Sequence, residues 1–112
     1  MPRIAQRTYS KAAEEAALLL GQFIKLGRKE RRLSAAALAE RIGVSRGTVQ
    51  RIEKGDLKVE IGLVLEAANI VGVPLFDTSD ERLSSKLEST ANKIALLPKK
   101  LRKPRHEVND DF

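Results

Sequence analysis

The chain of 112 residues is long enough for one domain with a modest core and tails, and too short for two independent cores. Its 21 Lys and Arg against 15 Asp and Glu give a net charge of +6 and a pI near 9.9, which favours an anionic partner, nucleic acid ahead of an acidic protein or a membrane surface. With no Cys, disulfides, thiol chemistry and thiolate metal sites are excluded; the single histidine, His106 in a charged tail, leaves a metal or acid–base cluster almost nothing to draw on, so neither metal nor cofactor is expected.

The opening residues, MPRIAQRTYS, lack the apolar run of a secretory signal, and residues 1–19 read as an N-terminal arm and the start of a first helix. Ser10 can cap that helix, running from about Lys11 to Glu30, with Glu14 and Glu15 near its positive end and Arg28, Lys29 and Arg31 near its negative end. Ala16, Leu20, Phe23, Ile24 and Gly27 recur at three- and four-residue spacing and give one apolar stripe, with Phe23 assigned to the core. Ser34 caps a second helix, Ala35 to Ile42, whose inward residues are Leu38, Ala39 and Ile42, and Gly43 ends it by accepting left-handed geometry.

Val44 covers the corner, and Ser45 caps a third helix from Arg46 to Lys54 in which only Val49 and Ile52 are apolar; Gly55 stops it. A fourth helix, about Glu60 to Val71, keeps Ile61, Val64, Leu65, Ala68 and Val71 in register and is broken by Gly72 and Pro74. Glu66, Asn69 and Pro74 interrupt this apolar stretch, so it does not read as a membrane span, and a soluble cytoplasmic protein is the expectation. After Ser79, Leu83, Leu87, Ala91 and Ile94 form a fifth amphipathic pattern that Pro98 closes. No segment alternates like a strand, so the fold class is all-α: a compact domain of short helices over residues 20–77, an amphipathic helix over 78–97 and an extended charged tail over 98–112.

Charge is unevenly spread along this order. Residues 20–58 carry ten basic and four acidic side chains, whereas residues 59–97 carry three and six. That distribution describes a charged docking face more than an evenly solvated surface.

The second and third helices are each too short to stand alone. Leu38, Ala39, Val44, Val49 and Ile52 let each bury the other's apolar stripe, leaving the third helix as a rod whose outer residues can enter a DNA major groove. The stretch LGQFIKLGRKERRLSAAALAERIGVSRGTVQRIEKGD resembles the phage-repressor-type helix-turn-helix family known as XRE or Cro/CI, through the spaced features LG…I…R, LS…LAE, GVS and IEKG over about Leu20 to Asp77.

The resemblance implies roles residue by residue. Arg46, Gly47, Thr48 and Arg51 match the family's base-facing positions, and Ser45, Gln50 and Lys54 match positions that contact phosphates. Arg28 and Glu53 match a structural pair that clamps the recognition helix to the first helix, the alternative being two unrelated surface charges. Ala35 stands where many relatives place a phosphate-bonding glutamine, so that contact is expected to be lost. Gly47 either is a first-turn glycine merely tolerated there or lets the backbone approach DNA closely.

The layout is also similar to a narrower group, the HipB-like antitoxins encoded beside HipA-type serine/threonine kinases, on the strength of GVSRGTVQRIEKGD, LPKKLRK and a terminal NDDF. That resemblance implies a transcriptional repressor that neutralises a HipA-like kinase toxin and autoregulates its operon. A stand-alone XRE-family regulator without a toxin partner is the alternative.

A homodimer on a palindromic double-stranded DNA operator is expected. Leu83, Leu87, Ala91 and Ile94 are the candidate dimer surface, unless that stripe folds back onto the domain's own core. Asp110, Asp111 and Phe112 are the candidate partner-binding end of the tail, which otherwise reads as a disordered, solubilising charge run. An enzyme has no support, since no phosphate-cradling glycine loop or nucleophile with a positioned base is present. RNA binding fits the charge but not the aromatics, because Tyr9, Phe23, Phe76 and Phe112 are scattered.

Overall fold

Three helices begin where a serine hydroxyl supplies the acceptor that the first helical turn lacks. Ser10 Oγ accepts from the Ala13 amide at 3.1 Å, Ser34 Oγ from Ala37 at 3.0 Å and Ser45 Oγ from Thr48 at 3.2 Å. In the computed structural model, which describes residues 8–76 and 82–99, these caps open α1 (Lys11–Glu30), α2 (Ala35–Ile42) and α3 (Arg46–Glu53). Two further helices, α4 (Ile61–Ile70) and α5 (Leu83–Ala95), start without a side-chain cap. The described residues contain no strand, and the fold is all-α. No described helix is long and apolar enough to cross a membrane.

The helices stop as sharply as they start. Within two residues of the end of each of α1 to α4 the backbone turns left-handed: at Arg32 (φ 57°), Gly43 (φ 90°), Gly55 (φ 78°) and Gly72 (φ 77°). In each case the next amide reaches back to a carbonyl of the last turn: Leu33 to Arg28, Val44 to Ala39, Asp56 to Arg51 and Val73 to Ala68. This closure lets helices of eight residues end abruptly without stranding backbone groups.

The chain divides after Phe76 into two compact units. In the first, α2 packs on α3 and on α4, and α1 packs on α3. The core is Ile24, Leu38, Ala39, Val49, Ile52, Ala67, Ala68 and Val71. Leu20, Ile42, Val44 and Val64 pack around it, half-buried. In the second unit α5 is the described helix, and none of its residues is buried.

Several expectations are corrected here. Phe23 is not core but 46 % exposed, and Ala16 is exposed as well; α1 instead buries Gly21, Ile24, Gly27 and Arg28. Ile61, at 73 % exposed, and Leu65 lie on the outer side of α4, and the small Ala67 joins Ala68 against the core. The reason is closeness of approach: a Cβ added at Gly27 would lie 2.8 Å from the Val71 carbonyl oxygen, so glycine and alanine, not large side chains, occupy the tightest contacts. Ser79 and the tail residues Asp110, Asp111 and Phe112 lie outside the described residues.

Candidate nucleic-acid interface

Position and orientation of α3 are fixed from three sides. Val49 and Ile52 plug its inner face into the core with Leu38 and Ile24, none of them more than 3 % exposed. Gly21 of α1 lies against its C-terminal end so closely that an added Cβ would come within 2.6 Å of both the Ile52 and Glu53 carbonyl oxygens. The third constraint is an ion pair. Arg28 Nε donates to Glu53 Oε2 at 2.6 Å and Arg28 Nη2 to Glu53 Oε1 at 3.0 Å, while Nη1 donates to the Leu33 carbonyl at 2.9 Å.

One guanidinium therefore ties the end of α3 and the α1–α2 turn to α1. The side chains of Arg28 and Glu53 are only 10 % and 6 % exposed, so the two-pronged geometry operates where water does not compete for it. Hydrogen bonding to the Glu53 carboxylate holds the Arg28 guanidinium above its already high ordinary pKa, outweighing burial, which acts in the opposite direction. A second arginine secures α1 to α4 through a hydrogen bond from Arg31 Nη1 to the Val71 carbonyl.

With its inner face so anchored, α3 turns its remaining residues outward. Arg46, Gly47, Gln50, Arg51 and Lys54 are all exposed, as is the cap residue Ser45. Thr48 differs: it is half-buried beside the inner stripe, and its hydroxyl is 3.1 Å from Ser45 Oγ. The hydroxyl is thus already engaged, and the methyl is the freer part of that side chain. A Cβ added at Gly47 would meet only Ser45 Oγ at 3.7 Å, an ordinary contact, so the fold itself does not demand glycine there.

Beside this face lies a cleft of about 250 Å³ lined by Lys25, Arg28, Ala35, Gln50, Glu53 and Lys54. It brings four sequence-predicted residues, Arg28, Gln50, Glu53 and Lys54, together with Lys25, which sequence reasoning missed. The available signal was spacing: Lys25 precedes Arg28 by three residues, so the two share a side of α1. Ala35 lines the same cleft with a methyl group that can donate nothing.

Arg51 has a partner the sequence did not reveal. Its Nε donates to Asp56 Oδ2 at 2.8 Å, and the other oxygen, Asp56 Oδ1, accepts the Lys58 amide at 2.8 Å. The Lys58 amide first, and then Arg51, hold the Asp56 carboxyl below its ordinary range.

Comparison with curated proteins finds no match. A family model described as a helix-turn-helix domain matches residues 19–79, more than half of the chain, taking in α1 from Leu19 onward and all of α2, α3 and α4. On that match, and with α2, the Gly43 turn and α3 arranged as described, the chain belongs to the helix-turn-helix domain family.

Proposed function

We propose that this chain is a sequence-specific DNA-binding transcriptional repressor whose α3 enters the major groove of double-stranded DNA. The observation that carries the reading is the division of α3 into a locked inner face and an exposed outer face bearing Arg46 and Arg51, with Lys54 exposed at its C-cap. In this reading Arg46, Gly47, Thr48 and Arg51 meet base edges, Thr48 through its methyl, while Ser45, Gln50 and Lys54 hold phosphates. The chain acts by occupying DNA and has no catalytic role.

Selection from a random double-stranded library with the full chain tests this directly. Arg46→Ala and Arg51→Ala should each erase preference at particular base pairs, a loss of about 1–3 kcal/mol in discrimination for each two-pronged contact. Lys54→Ala should weaken binding to all sequences alike and make the log–log salt dependence shallower by about one unit. If both arginine variants kept the affinity and preference of the unmodified chain at fixed salt, α3 would not be the reading helix.

The finer reading is an antitoxin that neutralises a HipA-like serine/threonine kinase and represses its own operon. It is supported by the sequence resemblance of the recognition stretch and of the tail. Co-expression with the product of the neighbouring gene should give a stable complex, and truncation after Val108 should weaken that complex while sparing operator binding. A gene with no co-transcribed kinase would leave the stand-alone regulator.

A further inference from the structure

The turn after α3 folds Asp56 back over the helix it follows. Gly55, in left-handed conformation, allows the Asp56 amide to reach the Arg51 carbonyl at 3.0 Å, and the Asp56 carboxylate then meets the Arg51 side chain itself. Both carboxylate oxygens are committed, one to Arg51 Nε and the other to the Lys58 amide. The acid is therefore fixed by backbone at one end and by a capped turn at the other.

This pair does little for the fold. Arg51 is 51 % and Asp56 31 % exposed at the side chain, and ion pairs of that exposure contribute little to stability. The turn is already closed by the positive φ of Gly55 and by the backbone bonds. What the pair does is restrict one long, flexible side chain on the outer face of α3. Because Nε is the atom engaged, both terminal nitrogens of Arg51 are left without an acceptor among the described residues. An arginine that offers its two terminal nitrogens together has the geometry that matches O6 and N7 of guanine.

We propose that Asp56 is a positioning residue for base recognition, holding Arg51 in the conformation that reads guanine. The inference rests on the DNA-binding reading above. It has a second consequence of opposite sign: a carboxylate beside the duplex repels phosphate, so Asp56 lowers affinity for DNA in general while raising discrimination at one base pair.

Library selection with the full chain, Arg51→Ala, Asp56→Asn and Asp56→Glu tests both consequences. Asparagine can still accept the Lys58 amide through its carbonyl oxygen, so the turn survives, and a thermal melt of each variant verifies this. The unmodified chain should favour guanine at one position that Arg51→Ala renders indifferent. At that position Asp56→Asn should lose about tenfold in guanine preference, within the range such contacts provide. Its affinity for non-specific duplex should rise, and Asp56→Glu should recover part of the preference.

A merely structural role would move affinity and preference together. Should Asp56→Asn keep the full guanine preference that Arg51→Ala abolishes, or gain in both preference and affinity, Asp56 does not position Arg51. The positioning role is equally lost if no selected position depends on Arg51. A chain that selects no sequence at all would instead remove the DNA-binding reading, and the role of Asp56 with it.

Discussion

Arg28 and Glu53 show how a charge can be structural in a domain this small. Two nearly buried groups of opposite sign cancel each other's desolvation only while both are present, and Arg28 additionally satisfies the Leu33 carbonyl. Arg28→Ala should therefore destabilise the chain by about 3–5 kcal/mol, because it leaves the Glu53 carboxylate buried and alone. Replacing both, Arg28→Met with Glu53→Leu, should cost much less, since no charge is then stranded. Urea unfolding of the three proteins measures the contrast; equal losses in the single and double variants would mean that packing, not charge compensation, dominates. Asp56 contrasts with them, a half-exposed acid whose lowered pKa reports on its neighbours. A group depressed in the folded state favours folding above its unfolded pKa, and that contribution disappears as pH falls through the folded value. Carboxyl NMR should find the Asp56 midpoint below the ordinary aspartate range. In Arg51→Ala it should rise yet remain depressed, because the Lys58 amide, the larger cause, is untouched.

At the scale of helices, glycine and alanine decide how closely axes approach, and they make one substitution act with opposite signs at two places. Gly21→Ala would drive a Cβ into backbone carbonyls of α3, which cannot swing aside as a side chain would. It should cost about 1–3 kcal/mol or more despite alanine's better helix propensity. Gly62 in α4 has nothing within 4 Å of an added Cβ, so Gly62→Ala should stabilise by about 0.5–1 kcal/mol. Thermal melts of both variants decide it, and a stabilised Gly21→Ala would mean that α1 and α3 are farther apart than described. The same contacts explain what could be read from the sequence. Ser10, Ser34 and Ser45, with Gly43 and Gly55, announce the ends of α1, α2 and α3, because capping chemistry is local. The inward face of α1 is misjudged at Phe23, since hydrophobic periodicity counts side chains and gives Gly21 no weight. In α4 nearly every residue is apolar, so periodicity has no phase, and only packing distinguishes Ala67 from Leu65. Asp56 could not be found from pattern at all, because its meeting with Arg51 depends on the turn at Gly55. The left-handed Arg32 is a similar surprise, standing where α2, α3 and α4 are each followed by glycine.

For the whole molecule, the proposed function raises the question of how a helix of eight residues would find a specific site. One such helix spans only a few base pairs, and repressors of this shape gain specificity by presenting two helices to half-sites about 34 Å apart. The second unit offers the material for pairing: along α5, Leu83, Leu87 and Ile94 are 54 %, 71 % and 63 % exposed, with the smaller Ala91 between them. Fully burying an exposed Leu or Ile gains about 1.5–3 kcal/mol, so these residues, counted on two chains and already partly covered, can supply roughly 5–11 kcal/mol. Association itself costs about 4–15 kcal/mol, so a contact made by α5 alone would be weak, on the order of micromolar at its tightest. We therefore expect a concentration-dependent monomer–dimer equilibrium that a palindromic operator pulls towards dimer. Sedimentation equilibrium on the full chain should detect dimer in the tens-of-micromolar range, and Leu87→Glu with Ile94→Glu should abolish it. On DNA, that double variant should bind a single half-site as the unmodified chain does and lose the tighter binding to two correctly spaced half-sites. A chain that remains monomeric at these concentrations without DNA, or a double variant that dimerises unchanged, would remove α5 from the pairing surface and leave its apolar stripe without that role.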